Sequence, residues 1–312
     1  MKNDESFYVN SIFEQPWWLN AVAENHWSEV FYKKNDEIVG RLPFCFYGGK
    51  TIAMPPLTQT CGCWIKPVVS TVGNEHLSYQ KEILDGLMEQ LPQHHSLKIH
   101  LDTNIQYFLP FIWKGYQVIP KVSYRITNLE DLESIYQNFS KTVKKNIKSA
   151  TKKVRIKEET SLNVLMDMME KTFAVQGRKY PISRNIIEKI ILAAEEHASG
   201  KMYIAIDSEE HVHACSYFVF DENVFYYLIS GADPNYRTSG AQTLILWRAI
   251  QEAAKYSKHF DFEGSMVEGI ETFFRRFGGK PVIYYEISKQ SVTNEIKDVL
   301  KPRVKRLLGY KI

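Results

Sequence analysis

Two spacings of apolar residues alternate along the first part of the chain. Residues 27–32 and 38–46 are rich in β-branched and aromatic side chains on either side of the polar turn 33–37, which predicts a β-hairpin. Apolar positions three and four residues apart predict helices over residues 14–24 and 77–91. The order of elements is therefore a short helix, a hairpin and a longer helix, with further strands at 51–54, 97–101 and 122–127.

The second part repeats this order in a fuller form. Helices are predicted at 129–150, 162–175 and 183–194, and a meander of antiparallel strands at 202–206, 211–220 and 224–230. The turn and strand at 37–39 align with those at 210–212, which is a weak internal repeat. Repetition of element order favours two α/β domains, and we predict domains at residues 1–120 and 121–312.

Length, charge and cysteine usage narrow the class of protein. The chain has 312 residues, about twice the usual domain length. Its 39 basic and 36 acidic residues nearly cancel, so the total charge alone indicates no nucleic-acid partner. Residues 1–15 do not resemble a signal peptide, and no apolar run is long enough to span a membrane. The four cysteines fit reduced thiols, and the spacing Cys61-Gly-Cys63 is too tight for a metal knuckle, so we expect a cytoplasmic protein without a metal site.

The strongest chemical signal is a loop between a strand and a helix. After the strand ending near Ser230, the loop runs through Arg237 and Gly240 into a helix predicted at 243–255. A helix start offers unpaired backbone N–H groups and the positive end of the helix dipole, which together bind phosphate oxygens. Arg237 adds a positive charge, and Gly240 allows close approach of the backbone. The alternative is that Gly240 is an ordinary turn residue and Ser239 an N-cap.

The residues of this loop resemble a known family. The sequence Arg237-Thr238-Ser239-Gly240-Ala241 is similar to the loop with which N-acetyltransferases of the GNAT superfamily hold the pyrophosphate of acetyl-coenzyme A, although Gln242 stands where a small residue is usual. A strand ending in Gly at 260–264, a helix from 269 and a strand at 282–287 then resemble the tandem-domain subgroup related to Fem-type aminoacyl transferases, which are methicillin-resistance-protein-like.

This resemblance implies two tandem GNAT-like domains, each a mixed, mostly antiparallel sheet flanked by helices. The second domain would bind the donor, acyl-coenzyme A, through the residues Arg237, Thr238, Ser239, Gly240, Ala241 and Gln242. The first would form the acceptor side.

Two departures from the subgroup bear on mechanism. Where the subgroup often has a Lys three residues before a Phe-Gly pair, this chain has Phe274, and Arg275 is a candidate substitute that would contact substrate. The long coiled-coil arm of the Fem enzymes has no counterpart, which disfavours aminoacyl-tRNA as the donor.

Glu263 is the candidate general base. Acyl transfer from a thioester to an amine requires removal of a proton from nitrogen, and Glu263 stands at the end of the strand after the donor helix. The alternative is a solvated strand-end charge or a helix cap. Weaker candidates are Asp233, Glu268 and the strand histidines His211 and His213.

Three further features concern binding partners. Residues 141–157 carry eight basic and no acidic side chains, with Lys141, Lys144, Lys145, Lys148 and Lys152 on one helical stripe. This stripe is either a solvated face or a surface for phosphate groups of a nucleotide, tRNA or an envelope precursor. The basic segment 301–311 is either a docking helix or a membrane-surface contact. Arg41 and Gln59, the latter in a proline-rich loop, are candidate acceptor contacts.

The sequence thus predicts a bacterial N-acyltransferase that moves an acyl group from acyl-coenzyme A to an amine, such as an envelope or amino-sugar precursor, without stable membrane insertion. The alternatives are a Fem-like transferase that takes an amino acid from aminoacyl-tRNA to a peptidoglycan precursor, and a non-catalytic binding protein of the same fold.

Overall fold

The computed structural model describes residues 8–48, 50–68, 73–264 and 266–290. In chain order, its α-helices are α1 (Pro16–Ala23), α2 (Gly73–Gln90), α3 (Leu109–Trp113), α4 (Leu132–Asn138), α5 (Lys141–Ala150), α6 (Leu162–Ala174), α7 (Arg184–Glu196), α8 (Ala241–Ala253) and α9 (Glu268–Arg275). The strands are β1 (Trp27–Lys34), β2 (Glu37–Tyr47), β3 (Thr51–Ala53), β4 (Trp64–Ile65), β5 (Ser96–His100), β6 (Gln117–Thr127), β7 (Arg155–Glu158), β8 (Gly200–Ile206), β9 (Val212–Phe220), β10 (Val224–Ala232), β11 (His259–Asp261) and β12 (Lys280–Lys289).

The described residues form two compact units. The first contains 8–10, 23–120 and 284–290, and the second contains 11–22 and 121–283. These units differ from the predicted domain bounds in two short segments, 11–22 and 284–290, while the basic segment 301–311 lies outside the described residues. The assignment of acceptor and donor roles to two domains stays a prediction.

The sheet of the first unit is mixed. Its strand order is β1-β2-β3-β5-β12, with β4 also paired to β2. The pairing of β3 with β5 is parallel, and the others are antiparallel. Helix α2 buries Ile83, Leu84 and Leu87 in the core of this unit because they share one helical face.

The second unit has the same kind of sheet on a larger scale. Its strand order is β6-β11-β10-β9-β8-β7, and only β10 and β11 are parallel among the described pairings. Its central strands β9 and β10 are buried along almost their whole length, which explains their nearly continuous runs of apolar residues. Helices α5 and α8 contribute to the same core. Both units confirm the predicted mixed α/β fold.

The structure corrects several predicted elements. The helix predicted at 129–150 is two helices, α4 and α5, because Phe139 is extended and the hydroxyl of Ser140 caps α5 by accepting the Val143 amide at 3.3 Å. Helix α5 ends at Ala150, so Lys152 lies beyond it and the basic run 141–157 is not one helix. The strand predicted at 122–127 starts at Gln117.

Candidate functional site

The site is built where two parallel neighbours, β10 and β11, separate. Their pairing joins Val224 to His259 and Tyr226 to Asp261 and then ends. Beyond this point the two segments of the chain separate, and residues 227–230 and 262–264 line opposite sides of one pocket. Separation of two strands at their carboxyl ends opens the crevice in which α/β proteins place their ligands.

Backbone conformation explains why the strands separate. Glu263 and Gly264 both have positive φ, 58° and 59°. A Cβ atom at Gly264 would overlap the carbonyl oxygen of Val122, so only glycine lets the chain lie this close to β6. The Phe262 amide also donates to the Tyr124 carbonyl at 2.9 Å. Residues 262–264 therefore follow β6 and leave β10.

Strand β10 is irregular at the same level. Tyr227 faces Phe218 and Ile229 faces Tyr217, so Leu228 is an extra residue relative to β9. Such a β-bulge leaves one residue out of the regular ladder and re-aims the chain, and bulges are frequent beside active sites. Leu228 itself lines the pocket.

The pocket has a volume of about 460 Å³. Its walls come from β10, from the segment after β11 and from α9, and its lining residues are Tyr227, Leu228, Ile229, Ser230, Phe262, Glu263, Gly264, Gly269, Ile270, Phe273 and Phe274. Helix α6 supports the β10 side, since a Cβ at Gly231 would overlap the backbone of Met168 and the Ala232 amide donates to the Thr172 hydroxyl at 2.8 Å. Apolar side chains combined with a few polar groups, here Tyr227, Ser230 and Glu263, are typical of a small-molecule site.

That carboxyl group belongs to Glu263, the predicted base. The residue as a whole is partly buried, but its Oε1 is shut off from solvent and accepts no hydrogen bond from the described residues. Burial, followed by the nearby negative charge of Asp261, raises the pKa of Glu263 well above its ordinary value. A strained backbone, an unsatisfied carboxyl oxygen and a raised pKa coincide at this residue, and such features cluster at functional sites.

Asp261 lies behind Glu263 in a polar cluster. Its carboxylate accepts hydrogen bonds from the Glu263 amide at 2.7 Å, from the Ser123 hydroxyl and from Arg125, whose Nε and NH2 are each 2.9 Å away. Asp261 is fully buried. The cluster thus fixes the backbone of Glu263 through a charged hydrogen bond. Asp261 is not among the site residues predicted from the sequence, although an acidic residue between Phe260 and Phe262 was a usable signal.

The predicted donor loop leads into α8. Gly240 has φ 79° and precedes the first helical residue, and a Cβ there would stand 2.9 Å from the carbonyl oxygen of Asn146 in α5. Glycine is therefore required here by close packing as well as by conformation. The Ser239 hydroxyl accepts the Ala241 amide at 3.2 Å, but the N-cap of α8 is Gly240, so Ser239 is not the N-cap of the alternative interpretation.

The rest of this loop keeps its capacity to bind an anion. Arg237 and Thr238 are exposed. Among the described residues, the amides of Gln242 and Thr243 in the first turn of α8 have no acceptor. A phosphate group could therefore accept hydrogen bonds from these two amides and from the Arg237 guanidinium, at the positive end of the helix dipole.

Gln242 joins the loop to the pocket. Its Nε2 donates to the Ser216 hydroxyl at 2.7 Å and to the Tyr227 hydroxyl at 2.8 Å, and Tyr227 lines the pocket with Glu263. Burial raises the pKa of Tyr227 to about 12, so its hydroxyl stays protonated. The residue that departs from the family pattern therefore links the start of α8 to side chains of the paired strands β9 and β10.

Arg275 is not brought into the pocket. Its side chain is 62% exposed and its Nε lies 3.3 Å from Glu271, which also accepts the Tyr124 hydroxyl. Phe274 is buried and stacks on Phe262 at 5.1 Å, so the position that carries Lys in the subgroup here completes an apolar wall.

The predicted acceptor contacts lie in the first unit. Arg41 is buried, and its Nε donates to Glu29 at 2.6 Å across the β1–β2 hairpin. Gln59 is buried as well, and its carbonyl oxygen is 2.9 Å from His100 Nδ1. Both residues therefore hold structural contacts, and their role toward an acceptor stays a prediction.

The weaker candidates for the base also have partners. Asp233 pairs with Lys171 at 3.0 Å and accepts the Asn235 amide. His213 and His211 both contact Asp207, at 3.1 and 3.2 Å, and His213 stacks on Tyr236. None of these residues lines the described pocket, and Glu268 is exposed on α9.

Comparison with known proteins agrees with this geometry. Residues 137–275 match the acetyltransferase (GNAT) domain family. Among solved structures, FemX superposes with a TM-score of 0.65 at 11% identity, covering 88% of this chain and 91% of FemX. L-PGS from Bacillus licheniformis gives 0.54 at 12% identity, covering 96% and 98%. A tandem GNAT protein from the clavulanic acid biosynthesis pathway gives 0.52 at 8%, covering 84% and 82%.

These matches define the class of fold. Residues 137–275 match the model of the GNAT domain, and the chain as a whole is similar in fold to FemX and to a tandem GNAT protein, which confirms the predicted resemblance. At such low identity the structural likeness shows the fold alone. No curated protein matches this sequence.

The described residues show neither a membrane-spanning helix nor a metal-binding cluster. None of the helices in these ranges is both long enough and apolar enough to cross a bilayer. The same ranges hold no group of three or more His, Cys, Asp or Glu side chains suited to a metal ion.

Proposed function

We propose that this protein is an N-acyltransferase that transfers an acyl group from acyl-coenzyme A to an amine in the pocket between β10 and β11. One observation carries the proposal. The parallel pair ends beside a β-bulge at Leu228, with the unsatisfied carboxyl oxygen of Glu263 across the gap, and Gln242 ties the start of α8 to the same pocket. A thioester in this gap would meet a base on one side and irregular backbone on the other.

The donor would bind along α8 and β10. The amides of Gln242 and Thr243 and the side chain of Arg237 would hold its pyrophosphate, as backbone donors at helix starts do. Thr238, Ser239 and Ala241 would border it, although the Ser239 hydroxyl and the Ala241 amide bond to each other. Gly240 keeps this turn in place against α5.

Glu263 would act as the base. The amine nitrogen attacks the thioester carbon, its proton passes to the Glu263 carboxylate, the C–S bond breaks, and the thiolate leaves as the thiol after taking up a proton. The products are an amide and coenzyme A. A raised pKa makes Glu263 a stronger base than an exposed glutamate, provided that it is ionised when the amine binds. No enzyme nucleophile is needed.

The acceptor is proposed from resemblance only. An envelope or amino-sugar precursor as the amine, Arg41 and Gln59 as its contacts, and a cytoplasmic location all stay predictions. A contact between Arg275 and the substrate is a weaker proposal, because the Arg275 side chain forms an ion pair with Glu271.

Titration of the full chain with coenzyme A by calorimetry tests the donor assignment. We expect binding in wild type and a dissociation constant about tenfold higher in Arg237→Ala, which loses one charge-assisted contact. Arg248→Ala is the matched control, since Arg248 is also an exposed arginine of this region but pairs with Glu252 on α8. Equal affinity in wild type and Arg237→Ala would contradict the assigned loop.

A second candidate donor is aminoacyl-tRNA. The observation favouring it is that Lys141, Lys145 and Lys148 on α5 are exposed and are not held in ion pairs by the described residues. Phosphate-backbone binding would make the logarithm of the tRNA affinity fall linearly with the logarithm of salt concentration. If aminoacyl-tRNA is the donor, replacing these three lysines with glutamine should lower that slope. If acyl-coenzyme A is the donor, the same replacement should leave the affinity for coenzyme A unchanged.

A further inference from the structure

Helix α9 and the residues just before it carry several apolar side chains beside the pocket. Ile270 and Phe273 of α9 line the pocket. Between the lining residues Gly264 and Gly269 along the chain, Met266 and Val267 are 68% and 60% exposed, and Ile270 itself is 46% exposed. Single exposed apolar side chains are normal, but three within five residues of a segment that lines a pocket are a candidate binding surface.

The interior continues this character. Leu228 and Ile229 face the gap from β10, and Phe262 and Phe274 face it from the other side. Among the described lining residues, Glu263 is the one carboxylate, none is basic, and the other polar side chains are Tyr227 and Ser230. A wholly polar ligand would therefore meet mostly apolar side chains on the α9 side.

The segment after α6 adds aromatic surface near Glu263. Tyr180 packs edge-on against Phe173 with ring centroids 5.0 Å apart. Burial, and then the charge of Glu263, raises the pKa of Tyr180 to about 12. The reacting carboxyl group thus has apolar or aromatic neighbours on more than one element.

We propose that the apolar surface formed by Met266 and Val267 before α9 and by Ile270 and Phe273 on α9 receives an aliphatic chain carried by one of the two substrates. The proposal rests on the proposed acyl transfer and deepens it by naming a substrate class. Apolar surface favours a chain over an acetyl group alone, because each methylene removed from water adds about 0.8 kcal/mol, a factor of about four in affinity. The chain belongs either to the acyl group of the thioester or to the amine.

Two homologous series separate these sources. Acetyl-, octanoyl- and dodecanoyl-coenzyme A test the donor, and ethylamine, octylamine and dodecylamine test the acceptor, each titrated below its critical micelle concentration into the full chain. We expect octanoyl-coenzyme A to bind at least tenfold more tightly than acetyl-coenzyme A if the donor carries the chain. The same gain of octylamine over ethylamine assigns the chain to the acceptor.

A matched pair of variants localises the effect. Ile270→Ser should remove most of the gain of the longer ligand, whereas Ile112→Ser, at a similarly exposed isoleucine on α3, should leave it unchanged. Because both side chains are exposed, unchanged thermal midpoints are expected and would show that each variant is folded.

The outcomes separate this proposal from the proposed function. Absence of a length-dependent gain in both series overturns the aliphatic-chain proposal, even when coenzyme A binds. A gain that survives in Ile270→Ser and Met266→Ser overturns the location on this apolar surface. If coenzyme A does not bind at all, the donor assignment fails, and the amine series alone then decides whether the apolar surface holds a chain.

Discussion

At the scale of single residues, Glu263 combines features that oppose stability. Its carboxyl group has a raised pKa, its Oε1 is buried without a partner, and its backbone lies in the left-handed region. Each feature destabilises the folded state, and such sites are retained where activity requires them.

Replacement of Glu263 by Gln should separate activity from stability. We expect kcat to fall about 100-fold or more, because a positioned base contributes at least that factor. The side chain keeps its size, so donor affinity should stay the same. Glu268→Gln, at an exposed position on the neighbouring helix, is the control. A wild-type rate in Glu263→Gln together with coenzyme A binding would remove Glu263 as the base and keep the donor site.

The same substitution should change the pH dependence of stability. A carboxyl group whose folded pKa is raised binds its proton more tightly when folded, so the free energy of unfolding falls as pH rises from the ordinary value of 4.5 toward the raised pKa. Below pH 4 the carboxyl group is protonated in both the folded and the unfolded state, so this loss of stability is absent. In measurements from pH 4 to pH 9, the thermal midpoint of Glu263→Gln should therefore rise relative to that of wild type as pH rises. Parallel curves would contradict the assigned direction.

Gln242 offers a second test at this scale. Its amide holds the hydroxyls of Ser216 and Tyr227, which are partly or wholly buried. Gln242→Ala should lower the free energy of unfolding by about 1–3 kcal/mol, because it removes two hydrogen bonds to buried hydroxyl groups. In a double-mutant cycle with Tyr227→Phe, urea unfolding should give a coupling of about 0.5–1.5 kcal/mol. Strict additivity would show that the contact stabilises nothing.

At the scale of elements, the start of α8 is fixed by its contact with α5. Gly240→Ala should destabilise the protein by about 1–3 kcal/mol, since alanine would meet both positive φ and the Asn146 carbonyl. Gly269→Ala on α9 is the control, because nothing lies within 4 Å of a Cβ there and helix propensity favours alanine. The midpoints of denaturant unfolding of the Gly240→Ala and Gly269→Ala variants measure both effects. A neutral Gly240→Ala would mean that α5 and α8 move apart easily.

At the scale of the whole chain, residues far apart in sequence share one core. Phe13 is fully buried and packs on Tyr226 of β10 with centroids 4.7 Å apart, and the Ile12 amide donates to Asp221 at 2.9 Å. The N-terminal segment is therefore part of the unit that carries the pocket.

Phe13→Ala should accordingly destabilise the second unit. The expected loss is about 3–5 kcal/mol, as for other buried phenylalanines. Hydrogen exchange should then accelerate in β9 and β10, which lie more than 190 residues away in sequence. Trp113→Ala, at a side chain that is 59% exposed, should change neither stability nor exchange by a comparable amount. Faster exchange confined to residues near Phe13 would contradict the shared core.

Local sequence determined much of the architecture. Apolar spacing identified most helices and strands because each signal, such as the face of α2 or the hairpin of β1 and β2, is contained in one segment. It also located the Gly240 turn and Glu263, since a strand, a loop and a helix start follow one another along the chain. Helix α5 was misjudged because Phe139 is extended and interrupts an otherwise helical pattern.

The tertiary structure decided the surroundings of these residues. The raised pKa of Glu263 depends on Asp261 and on burial, the close packing of Gly240 depends on Asn146, and the bridging role of Gln242 depends on Ser216. Sequence spacing cannot supply these contacts, because strands and helices distant along the chain must first pack together. The sequence thus determined which elements form and which residues carry chemical groups, and packing alone decided their charge, strain and partners.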